Sequence, residues 1–253
     1  MINSTPCKFS PPCKLEDGDE LLQSYKGNRP LSLTMRAQAS IAIKVCGITK
    51  PQQAIEIALM GADAIGVIGV KNSPRYISEP ERRTLFEEMI RAVPSKERVW
   101  VVANLNKDEI IKGLNSKGSP SIVQLHGNES KQYCEDLKRS HPNIQFWKSF
   151  QIRQKNDLVT AKGYQASVDA ILFDSWHKSS LGGTGQRIPI EWLEDIDFQL
   201  PWWLAGGISS DCIQEILSKL KPFGIDASSK LELEPGIKNI KKVEELIKKI
   251  RAT

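Results

Sequence analysis

Long apolar runs are missing from this chain. No stretch approaches the roughly 18 apolar residues that a spanning helix needs, and the N-terminus lacks the apolar core of a secretion signal. Membrane insertion is therefore not expected. Cysteine is sparse and poorly spaced for pairing. Cys7, Cys13, Cys46, Cys134 and Cys212 are odd in number and form no CxxC pair. That argues against a disulfide framework or a structural zinc site, and for a reducing compartment. Concentrated basic charge is absent as well. The net charge of +5 suits anionic small ligands, but no segment gathers a long run of Lys and Arg, so no nucleic-acid partner is expected. The densest cluster, residues 238–249, is broken by Glu244 and Glu245 and reads as a solvated helix face.

What the chain does contain is an ordinary globular composition. Its 253 residues are 40% hydrophobic and 26% charged, enough for a sizeable core. Residues 1–40 stand apart, with Pro6, Pro11, Pro12 and Pro30 among scattered apolar residues. They read as a largely irregular extension. Its Ser and Thr content is compatible with a plastid transit peptide, but Glu16, Asp17, Asp19 and Glu20 count against one, so a cytoplasmic location is expected.

From residue 41 onward strand and helix signals alternate. Short apolar runs at 41–45, 64–68, 99–103, 122–125, 145–149, 170–173, 202–205 and 223–226 predict eight strands. Helical spacing appears at 52–60, 79–92, 107–115, 129–140, 209–220 and 240–250. Eight such units predict an α/β fold with a parallel sheet, closed as a single (β/α)8 barrel over residues 41–253. The competing open, doubly wound sheet lacks its GxGxxG fingerprint after the first strand.

In such a barrel the active site lies at the carboxyl ends of the strands. Lys44-Val-Cys-Gly-Ile-Thr49 places a thiol there, at Cys46, before a tight turn and a helix start. Cys46 is a candidate nucleophile or base, provided its pKa is lowered. Lys44 is expected to point away from the Cys46 side of the strand. Arg75, after the second strand, has the planar fork for a carboxylate or phosphate, or is a surface residue in a turn set by Pro74. Gln124 and His126 share one face of the fourth strand, and His126 either contacts a ligand or is a satisfied polar group at the barrel mouth. Asp174, ending the sixth strand, is a candidate general acid or base, or a cap for the next turn. Gly183 and Thr184 in the GGTG loop, Gly206 and Gly207 after strand seven, and Ser228 and Ser229 after strand eight form three adjacent small-residue rims. Together they suggest a phosphate cradle.

These motifs, with G-A-D-A-I-G at 61–66, S-P-R-Y at 73–76, L-A-G-G-I at 204–208 and G-I-D-A-S-S at 224–229, occur in the order seen in the phosphoribosylanthranilate isomerase family, which the chain resembles from residue 43 to about 250. The resemblance implies a (β/α)8 barrel and an Amadori rearrangement of a phosphorylated small molecule in tryptophan biosynthesis. Cys46 then resembles the general base and Asp174 the general acid. Arg75, Gln124, His126 and Asp226 resemble substrate-binding residues, with Arg75 on the anthranilate carboxylate. Residues 183–184, 206–207 and 228–229 resemble the phosphate site. No metal or organic cofactor is required, and the family's monomers and dimers imply a monomer or homodimer. Lys230, where relatives usually carry Gly, and Asn239, where they usually carry Asp, depart from the pattern. So do the strand-two loop at 69–72 and the strand-three end at 103–106.

Overall fold

The computed structural model describes residues 40–115, 117–175, 187–194 and 196–253. The extension before residue 40 and the loop carrying Gly183 and Thr184 lie outside the described residues. The strands are β1 (Ala42–Cys46), β2 (Ala64–Ile68), β3 (Glu97–Val102), β4 (Ile122–Leu125), β5 (Gln145–Ile152), β6 (Ala170–Ser175), β7 (Trp202–Leu204) and β8 (Gly224–Ala227). A small hairpin follows, made of β9 (Glu232–Glu234) and β10 (Ile237–Lys238). The helices are α1 (Pro51–Leu59), α2 (Glu79–Ala92), α3 (Lys107–Leu114), α4 (Lys131–Ser140), α5 (Asn156–Lys162), α6 (Ile213–Lys219) and α7 (Ile240–Arg251). Strands β1 to β8 close into a barrel in chain order, every neighbour parallel, with β8 returning to β1. The fold is the expected (β/α)8 barrel.

Alternation along each strand separates two apolar layers. In β1, Ile43 and Val45 join the outer layer with helix residues such as Ile57 and Leu246. Ala42 and Cys46 belong to the barrel interior. That interior is filled below the carboxyl rim by Trp147 and Trp203, whose ring centroids lie 4.7 Å apart. Small neighbours, Ala42, Ala64 and Ala170, make room for the two indoles. Helix starts are set locally. Ser78 and Glu81 form a reciprocal capping box for α2, and Asn106 with Glu109 does so for α3, each cap contributing about 1 kcal/mol. Asn239 accepts from the backbone N–H groups of Lys241 and Lys242. The departure from Asp there leaves the cap of α7 intact.

Two elements lie outside the sequence expectation. Helix α5 has only Leu158 and Ala161 as buried anchors and no side-chain cap, too short a stripe to show helical period. The β9–β10 hairpin turns at Pro235-Gly236 with strands of two and three residues, below the length at which alternation registers. Helix α6 begins at Ile213, so Cys212 caps it rather than lying within it.

Candidate active site

A cavity of about 200 Å³ opens at the carboxyl ends of the strands. Cys46, Arg75, Gln124, His126, Asp174 and Asp226 all line it, as do Gly206, Gly207, Ser228 and Ser229. Every described residue read in the sequence as a candidate catalytic, substrate-binding or phosphate-binding residue is therefore brought to one place.

Cys46 ends β1 with its thiol packed beside Gly66, the residue opposite it on β2. A Cβ on Gly66 would lie 2.7 Å from the sulfur, so only glycine leaves the thiol its space. Lys44 does not point away. Residues two apart on a strand share a face, and Lys44 lies inside the barrel, fully buried, with Nζ 2.7 Å from Asp226 Oδ2. Its register partner on β8 is Asp226 itself. The expected lowering of the Cys46 pKa is also corrected. Burial pushes the thiol above its ordinary value; Lys44 pulls it down, Asp226 pushes it up again, and Lys238 pulls more weakly. Desolvation wins because the sulfur sits in the barrel wall rather than in water.

Asp174 faces the same cavity from β6. Burial, reinforced by the nearby Asp226 charge, raises its carboxyl to about 7, against weaker lowering by a Ser175 backbone hydrogen bond and Lys44. An aspartate that holds a proton near neutral pH is suited to donate one. His126 Nε2 stands 3.8 Å from Asp174 Oδ2. Its Nδ1 lies 3.2 Å from Gln124 Nε2, which also donates to Ser149 Oγ at 2.8 Å. Burial, with the Lys148 and Lys44 charges, holds the imidazole down at about 4, so it is neutral. With Nδ1 accepting from Gln124, the ring proton sits on Nε2 and faces the cavity. The rim below is braced by Glu129, which accepts from the N–H groups of Asn104 and Gly127 and pairs with buried Lys148 at 3.3 Å. Asn104, in the atypical strand-three end, has φ of 55° and accepts from Asn128 N–H, tying that loop to the β4 loop.

Among the described residues, two buried polar atoms in this cavity have no hydrogen-bond partner: Gln124 Oε1 and Asp226 Oδ1. Leaving such atoms unsatisfied costs on the order of 1–3 kcal/mol each. A ligand with hydroxyl or N–H groups would satisfy them.

Arg75 is not a surface residue. It is 8% exposed, and its stem crosses Gly47, where a Cβ would come within 2.5 Å of Arg75 Cδ. Gly47 also holds φ of 78°, which favours glycine. Arg75 Nε and Nη2 donate to the two oxygens of Glu232 at 2.8 and 2.6 Å. One edge of the fork is thus committed, while Nη1 makes no hydrogen bond among the described residues. Glu232 went unnoticed in the sequence because its contacts come from the tertiary fold, and Lys238, read there as part of a solvated helix face, instead lies in β10 before α7 with its side chain fully buried.

The small-residue rims behave unequally. Gly206 and Gly207 both have positive φ, 90° and 67°, and Gly206 passes so close to the Ser175 hydroxyl that a side chain would collide. Ser228 Oγ donates to the Cys46 carbonyl at 2.9 Å, so its hydroxyl proton is already used. Lys230, in the turn after Ser229, also lines the cavity and adds a positive charge there. Among the described residues no group of three or more His, Cys, Asp and Glu is placed to hold a metal, and no helix is long and apolar enough to cross a membrane.

Comparison with known proteins identifies the family. Residues 43–249 match the family model for N-(5'phosphoribosyl)anthranilate (PRA) isomerase. The N-(5'-phosphoribosyl)anthranilate isomerase of Thermosynechococcus vestitus is 39% identical over 211 residues, 83% of this chain and 89% of the relative. The crystal structure of the Thermotoga maritima phosphoribosyl anthranilate isomerase matches at 26% identity and a TM-score of 0.76, covering 84% of this chain and all of that one. A second structure describes that enzyme as dimeric. A further isomerase structure, 25% identical with a TM-score of 0.70 over 84% of this chain and all of that one, holds reduced 1-(o-carboxyphenylamino)-1-deoxyribulose 5-phosphate.

Proposed function

The chain belongs to the N-(5'-phosphoribosyl)anthranilate isomerase family, and on that premise we propose that Asp174 is the general acid and Cys46 the base of its reaction. The protein is an isomerase of tryptophan biosynthesis that acts on N-(5'-phosphoribosyl)anthranilate. The observation that carries the assignment is a carboxyl raised to about 7 in the same cavity as a thiol flanked by a buried ammonium.

Asp174 gives its proton to the furanose ring oxygen. The C1–O bond breaks and the nitrogen lone pair closes an iminium at C1. Near neutral pH about half of such carboxyls carry the proton, against roughly one in a thousand for an ordinary aspartate. Cys46, as thiolate, then removes the proton on C2. The C–H pair becomes the C1–C2 double bond, and the iminium pair returns to nitrogen, giving an enolamine. The C2 hydroxyl loses its proton, C1 gains one, and the aminoketose results. The thiolate is a minority form in the free protein, because burial raises the thiol. Lys44 opposes that rise, and the iminium created by ring opening puts a second positive charge beside the sulfur when the base is needed.

Arg75 holds the anthranilate carboxylate with the Nη1 side of its fork. Gln124, His126 and Asp226 contact the sugar and amine, Gln124 and Asp226 through the acceptors that now lack partners and His126 through its Nε2–H. Gly183, Thr184, Gly206, Gly207, Ser228 and Ser229 hold the phosphate, Ser228 through its backbone N–H. The barrel from residue 41 is the catalytic unit, with residues 1–40 as an accessory extension. A monomer or homodimer fits the dimeric relative, and three buried free thiols suit the reducing cytoplasm.

Loss of substrate fluorescence tests the assignment. Cys46→Ser and Asp174→Asn should each lower turnover by about 10²–10⁴, as for loss of a general base or acid, with substrate affinity near normal. Wild-type turnover in either variant would remove that residue from the mechanism.

A further inference from the structure

The β9–β10 hairpin lies outside the barrel sheet, yet it sets two buried charges behind Arg75, which lines the cavity. Glu232 Oε1 accepts from Arg75 Nε at 2.8 Å, Lys238 Nζ at 2.7 Å and Gly236 N–H at 3.2 Å, and its Oε2 accepts from Arg75 Nη2 at 2.6 Å. The side chains of Arg75, Glu232 and Lys238 are 9%, 5% and 0% exposed. The hairpin is locked to the loop after Cys46 and to α1. Thr49 Oγ1 donates to the Gly236 carbonyl at 2.8 Å, and the Gln53 amide pairs with both backbone groups of Lys238 at 2.9 and 2.8 Å.

Charge counting gives this cluster a purpose. Arg75 and Glu232 alone would form a closed, neutral pair with little attraction for an anion. Lys238 restores one net positive charge to the trio in a site where water screens poorly. Glu232 meanwhile fixes one edge of the guanidinium, leaving the other for a ligand. We propose that Glu232 and Lys238 are positioning residues that set the aim and the net charge of Arg75, and so make the hairpin the element that selects substrates bearing a carboxylate on the aryl amine. This rests on the reading of Arg75 as the carboxylate clamp.

The test is a selectivity ratio. kcat/KM is measured for N-(5'-phosphoribosyl)anthranilate and for the analogue built on aniline, which lacks the carboxylate. Effects of a variant on the acid, the base or the phosphate loop change both substrates alike and cancel in the ratio. Lys238→Met leaves Glu232 to neutralise Arg75, and the ratio should fall at least tenfold, mostly through KM of the carboxylate-bearing substrate. Lys238→Gln, which keeps a donor for Glu232 without the charge, should lose the same selectivity and serves if the methionine variant fails to fold. Glu232→Gln combined with Lys238→Met removes both charges, frees the positive charge of Arg75, and should recover most of the ratio. Arg75→Ala, the control, should collapse it. If Arg75→Ala collapses the ratio while the Lys238 variants leave it unchanged, the hairpin proposal is wrong and the clamp stands. If Arg75→Ala leaves it unchanged, the clamp itself is wrong, and the hairpin proposal falls with it.

Discussion

The two ends of the barrel interior are built from the same eight strands and do opposite things. Below the carboxyl rim, inward positions carry Trp147 and Trp203 against alanines, and the space is full. At the rim the inward positions of those strands carry Lys44, Cys46, Gln124, Asp174 and Asp226, and the space is open. The lower layer gains stability by removing aromatic surface from water. The upper layer gives some of that up, holding buried charges and, among the described residues, two unpartnered acceptors, against one unpartnered donor, Trp203 Nε1, in the lower layer. The difference teaches where to look for function: along each strand, chemistry begins where packing ends.

The contrast can be broken first at the lower layer. Trp203→Ala should cost about 3–5 kcal/mol of stability, the usual loss for a buried Trp, read by chemical denaturation, while the folded fraction keeps its substrate affinity. Loss of affinity with unchanged stability would mean the two layers are not separable. At the rim, Arg75→Ala should do the reverse. Catalytic efficiency should fall by about 2–4 kcal/mol, chiefly in KM, since a clamp acts in ground and transition states alike. An unchanged KM would remove Arg75 from the binding site. The smallest effect belongs to neither layer. Deleting residues 1–38 should alter barrel stability and turnover by no more than about 0.5 kcal/mol, because β1 begins at Ala42. An insoluble or inactive truncation would show that the extension is part of the barrel's support.

Much of this was legible in the sequence, for a physical reason. Strands buried on both faces read as apolar runs, so all eight stood out. So did residues at their ends, because a cysteine or aspartate closing an apolar run breaks the pattern. Legibility failed where contacts are non-local or signals short. Helix α5 offers two buried anchors, and the hairpin is five strand residues in all. Lys44 was assigned to the wrong side of β1, although the period of two places it with Cys46. The pairing of Arg75 with Glu232 joins residues 157 apart, which no local pattern encodes. The direction of the Cys46 shift depends on burial, reinforced by Asp226, set against Lys44 and Lys238, all brought together by the fold. The departures at 103–106 and 239 turned out to keep local hydrogen bonding.

The central claim is a protonated acid at about 7 working with a base whose pKa lies above it. The active form has Asp174 protonated and Cys46 ionised, so its fraction is the product of the two. Below pH 7 the acid is protonated and the thiolate fraction grows tenfold per pH unit. Between about 7 and the thiol's value the loss of one cancels the gain of the other. Above the thiol's value only the loss remains. The most direct measurement is kcat/KM against pH for the wild-type protein, which reports the free enzyme's groups. The account predicts a rise to about pH 7, a level stretch reaching beyond the ordinary thiol value of about 8.5, and a fall above it. A narrow bell that already falls through pH 7 would contradict it, because the thiol would then ionise below the acid.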